Sequence, residues 1–92
     1  MIAVQVQDWA TVLDAFASFF EGHGAISSDA EAIGFTASRP RTGVTIHRTG
    51  RVAAYMPLHA VELQVSRLIF DASQGELRVE GASGQYLYRR PW

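Results

Sequence analysis

Trp9, Val12, Leu13, Phe16, Phe19 and Phe20 recur at i, i+3, i+4, i+7, i+10 and i+11. At about 100° per residue this spacing gathers them within an arc of about 120° on a helix, with Thr11, Asp14, Ser18 and Glu21 opposite. Asp8 is placed as the N-cap, its carboxylate able to accept from free amides of the first turn, and Gly22 and Gly24 end the run. A helix of about 13 residues is marginal alone. Its stripe carries four aromatic rings, so the rest of the chain must supply a broad apolar cover. That demand constrains the fold more than any other feature.

The cover reads as strands. Ile2, Val4 and Val6 alternate with Ala3, Gln5 and Gln7, a period of two, which predicts a half-buried first strand or a frayed arm. After the helix, Ser28-Asp29-Ala30-Glu31 has a capping-box pattern and suggests one helical turn. Ile33, Phe35 and Ala37 then alternate up to a breaker at Arg39-Pro40-Arg41-Thr42-Gly43. Val44 to Arg48 and Arg51 to Met56 flank Thr49-Gly50, which reads as a two-residue hairpin loop. That register sets Arg48 against Arg51, Ile46 against Ala53 and Val44 against Tyr55, with Thr45, His47, Val52 and Ala54 on the other face. Pro57 ends the strand.

From Val61 to Asp71 the inward phase passes from Val61, Leu63 and Val65 to Leu68 and Phe70, which predicts a β-bulge near Ser66-Arg67. Turns at Ala72-Ser73-Gln74-Gly75 and Gly81-Ala82-Ser83-Gly84 separate Leu77 and Val79 from a last strand in which Tyr86 and Tyr88 share a face. The expectation is one α+β domain over 1–92, an N-terminal amphipathic helix on a curved, roll-like antiparallel meander of about five to seven strands. In element order alone this is similar to cystatin-like and other α+β rolls.

At 92 residues, 48% hydrophobic and 18% charged, the chain has material for one core and none for a second. It has no cysteine, which excludes a disulfide framework, a thiolate zinc site and a cysteine nucleophile. No apolar run approaches the ~20 residues that span a bilayer, and Met1 to Gln7 lacks the form of a secretory signal. The expected setting is cytoplasmic, with no membrane partner.

All eight basic residues are arginine, and charge is segregated along the chain. Residues 1–38 hold Asp8, Asp14, Glu21, Asp29 and Glu31 and no arginine. Residues 39–92 hold every arginine against Glu62, Asp71, Glu76 and Glu80. Such segregation produces a field that steers partners.

Motifs for catalysis are missing. There is no Gly-x-Ser-x-Gly elbow, Gly-x-Gly-x-x-Gly turn or P-loop. His59 and Glu62 have a ligand-like spacing only on a helix, whereas here they enter a strand. His23 follows the helix as a surface histidine favoured by the helix dipole, and His47 lies on a strand. No enzyme, cofactor or metal site is expected.

Two sets of residues remain as candidates. Tyr86, Tyr88 and Trp92, of types enriched at protein interfaces, suggest a homodimer and a self-associating interaction or adaptor module. Arg39, Arg41, Arg48 and Arg51 on loops at opposite ends of one strand, with Arg89 and Arg90, suggest instead nucleic-acid or phosphate-ligand binding. A pI of about 6.3 does not favour a dedicated nucleic-acid protein. Small-molecule binding between helix and sheet is a further alternative.

Overall fold

A computed structural model describes residues 1–82 and 84–91. Its single helix, α1 (Trp9–Phe20), follows strand β1 (Ile2–Gln5). Eight more strands come after it: β2 (Ala25–Ser28), β3 (Ala32–Ser38), β4 (Arg41–His47), β5 (Arg51–Met56), β6 (His59–Gln64), β7 (Arg67–Asp71), β8 (Glu76–Gly81) and β9 (Gly84–Arg89). The class is α+β with an N-terminal helix, as the aromatic stripe demands. Among the described residues the strands number nine rather than five to seven. They form two antiparallel sheets, β1-β7-β8-β9 and β2-β3-β4-β5-β6.

The helix buries Trp9, Val12, Ala15, Phe16, Phe19 and Phe20, and its rings touch both sheets. Phe20 stacks on Phe35 of β3 at 4.2 Å between centroids and meets Tyr88 of β9 at 6.0 Å. Phe19 and Phe16 lie 5.5 and 6.5 Å from Phe70 of β7. Asp8 occupies the N-cap position without the expected backbone cap. Its carboxylate accepts instead from the Thr11 hydroxyl at 2.8 Å.

Four local readings are corrected. First, Ser28 to Glu31 is a hairpin turn and not a helical one. Asp29 Oδ1 accepts from the amides of Glu31 and Ala32, an Asx arrangement that outcompetes helix. The strand before it, β2, is exposed at all four positions, so it shows no apolar alternation.

Second, the turn after β3 is only Arg39-Pro40. Ser38 pairs with Arg41, and Thr42 and Gly43 are already in β4.

Third, the β4–β5 register is one residue from that expected. Val44 faces Ala54, Thr45 faces Ala53 and Ile46 faces Val52. The loop has three residues, because Gly50 at φ 96° donates its amide to His47 O and acts as the extra residue of a left-handed bulge. Val44, Ile46, Val52 and Ala54 therefore form the buried face, and Tyr55 turns outward with Ala53 and Thr45.

Fourth, the phase change at Ser66-Arg67 is a passage between sheets rather than a bulge within one. β6 ends at Gln64 in one sheet and β7 starts at Arg67 in the other. Val65 N donates to Gly50 O, and Ser66 N to Glu80 O. Because the sheets face one another, a strand crossing between them must exchange its inward parity.

Candidate anion-binding groove

The chemistry-bearing side chains are best followed from the arginines. Arg51 pairs with Glu62 at 3.6 Å, Arg67 with Glu80 at 3.9 Å and Arg89 with Glu76 at 3.1 Å. The last two are cross-strand pairs on the outer face of the β1-β7-β8-β9 sheet. Arg90 serves the fold. It donates to Phe19 O at 2.6 Å and Ala72 O at 3.3 Å, and its guanidinium lies 4.6 Å from the Phe19 ring centroid. It thus satisfies a carbonyl that the helix C-terminus leaves free. Arg48 reaches the Ala30 carbonyl at 3.4 Å. Of the six arginine candidates, four are therefore committed to neighbours or stand apart.

Arg39 and Arg41 differ. They flank Pro40 at the tip of the β3–β4 hairpin and make no ion pair among the described residues. Both line an open depression of about 640 Å³ shared with His23, Thr36, Ser38 and Tyr55, with no carboxylate in its wall. Tyr55 forms one side. Its ring lies over Gly43, where an added Cβ would come 2.7 Å from Tyr55 Cε1. The Arg41 guanidinium stands 5.9 Å from the ring centroid, within cation–π range.

His23 reaches the groove through the end of the helix. Its amide donates to Phe20 O at 3.0 Å. Its Nδ1 lies 2.9 Å from Pro91 O, which can only accept, so Nδ1 carries the proton. Nε2 is then the ring nitrogen left to a ligand, as an acceptor when neutral and a donor when protonated. The next residue must be glycine, because a Cβ at Gly24 would strike the Thr36 carbonyl and the Phe35 ring. That close approach lays β2 against β3 and brings the helix end beside the Arg39-Pro40 turn.

The interface candidates fare differently. Tyr88 is wholly buried, so it is a core residue and offers no surface to a partner. Its hydroxyl lies 2.8 Å from Thr42 Oγ1, whose own proton goes to Tyr55 O at 2.9 Å. Burial pushes its phenol pKa up. Tyr86 packs half-buried against the core, with its ring stacked on His59 at 5.9 Å. Trp92 lies outside the described residues.

His59 and Glu62 stand three positions apart in β6 and so point to opposite faces. Among the described residues no three His, Asp or Glu side chains converge on a metal position. Among the described residues no helix is long and apolar enough to cross a membrane.

By sequence Arg39 and Arg41 are anion candidates, His23 reads as a surface residue, and Tyr55 carries no signal that singles it out. No local motif marks the latter two, since the groove is assembled from three separated segments. No family model, curated protein or solved structure matches the chain.

Proposed function

We propose that the chain is a non-catalytic binding module whose ligand presents a phosphate group to the groove between His23, Arg39, Arg41 and Tyr55. One observation carries this reading: two arginines free of carboxylate partners among the described residues share a concave wall with a histidine and a tyrosine. A guanidinium offers a planar fork of N–H donors matched to phosphate oxygens, and Tyr55 adds a face on which a ring of the ligand can stack. The segregation of charge along the chain supports it, since both arginines belong to the basic portion. The groove has no nucleophile paired with a base, so binding rather than turnover is the chemistry it suits.

The test is a titration with inorganic phosphate, and in parallel with a 5′-phosphorylated mononucleotide, followed by amide and side-chain NMR. Shifts should concentrate at His23, Arg39, Arg41 and Tyr55 and weaken with added salt, because exposed charges are screened. The double variant Arg39→Ala/Arg41→Ala should lower affinity by about tenfold or more. A tighter response to the nucleotide than to phosphate assigns a stacking role to Tyr55. Shifts scattered over all the arginines, or none at all, defeat the proposal.

A further inference from the structure

We infer that two copies of this chain associate through β2, whose open edge pairs antiparallel with its own copy across a two-fold axis and joins the two five-stranded sheets into one. Four strands lie at sheet edges, and three of them are protected. β6 carries His59 and Glu62 behind Pro57, β9 carries Arg89 before Pro91, and β1 lies against α1. β2 reads Ala-Ile-Ser-Ser, is exposed throughout and has its main packing contact with β3. It has no charge, no proline and no cover, the devices by which edges are normally kept from pairing.

The hydrogen-bond parity of this edge is known. Asp29 N donates to Ala32 O, so the pairs Ser27–Gly34 and Ala25–Thr36 exchange bonds with β3, while Ile26 and Ser28 aim their amides and carbonyls outward. Ile26 is also 36% exposed, although it lies opposite Phe35 in the core.

The two ends of β2 select a second copy as the occupant. At one end stand Asp29 and Glu31, with no ion pair among the described residues. Arg48 approaches them only through its bonds to the Ala30 and Glu31 carbonyls. At the other end stand His23 and, one strand further in, Arg39. Antiparallel pairing about a two-fold axis sets the acidic end of each copy against the basic end of the other, twice. Arg39 is then shared with the phosphate groove, so saturating phosphate should weaken the association. The pairing itself does not depend on a ligand.

Light scattering across micromolar to submillimolar concentration should approach twice the protomer mass of 10.1 kDa. Ile26→Pro removes an outward amide that β3 does not use, and should give a folded monomer. Ile26→Lys, which leaves the backbone intact, should raise the dissociation constant by about tenfold or more. Glu31→Arg should weaken the dimer, and Arg39→Glu in the same chain should restore it. A monomer at every concentration, or a dimer mass that survives both changes at Ile26, overturns the inference. Arg41→Ala keeps the outcomes apart, since it should impair phosphate binding and leave the mass unchanged.

Discussion

The Tyr88 hydroxyl and Thr42 Oγ1, 2.8 Å apart in the buried interior, join the two sheets by a single polar contact. The order of donation is set by the final acceptor. Thr42 gives its proton to Tyr55 O, so Tyr88 must donate to Thr42. The two ends of this chain are unequal in what their removal leaves behind.

Tyr88→Phe deletes a donor and leaves Thr42 still bonded to Tyr55 O, which should cost about 0.5–1.5 kcal/mol. Thr42→Val strands the buried Tyr88 hydroxyl and should cost about 1–3 kcal/mol. Urea unfolding of both variants should rank Thr42→Val as the more damaging. The reverse order contradicts the assigned direction of donation.

Alkaline pH should expose the same residue. Burial raises the Tyr88 pKa above its usual 10.0. The folded chain therefore holds its proton where the unfolded chain has lost it. Stability should be intact below the ordinary tyrosine value and fall as pH rises through the raised one. Tyr86, also raised by burial, contributes in the same direction. Tyr88→Phe should flatten part of this alkaline loss in melting curves collected from neutral pH upward.

Arg90→Ala should release the end of α1. It removes two bonds to carbonyls and the guanidinium over Phe19. A loss of about 1–2 kcal/mol is expected for a partly exposed cation at a helix C-terminus. Hydrogen exchange should quicken most at residues 17–23. A uniform change across the molecule counts against a local clasp.

Gly43→Ala tests the seat of Tyr55. The new Cβ meets both the Tyr55 ring and the Phe35 carbonyl at under 3 Å. The ring must swing away and β4 must strain against β3, at a cost of about 1–3 kcal/mol. Phosphate-induced shifts at Tyr55 should diminish with it, whereas Thr45→Ala on the same face should leave them unchanged.

How much of this was legible follows from which residues carry a local signal. The helix is plain because its six apolar positions keep one period, and Phe16, Phe19 and Phe20 each meet a ring on a sheet. β2 was invisible because none of its side chains is buried, leaving nothing to alternate. The β4–β5 register slipped by one because the left-handed residue at Gly50 lengthens the loop, and Thr49-Gly50 reads equally well as a shorter turn. The parity change at Ser66-Arg67 marks a break, but sequence alone does not distinguish a bent strand from one that changes sheets. Arg39 and Arg41 stood out by type. Their company did not, because His23 arrives through a helix end and Tyr55 through a register that Thr49-Gly50 does not fix.

The pairing of β1 with β7 sets Ile2 against Phe70 and Gln5 against Arg67. The first strand of the chain therefore has no strand to pair with until residues near position 70 exist. During synthesis it emerges first and must wait unpaired, and in refolding its closure spans most of the sequence, the kind of distant contact that slows a domain's assembly. The β2–β6 meander, whose pairings are all between neighbours in the chain, is the natural part to form first.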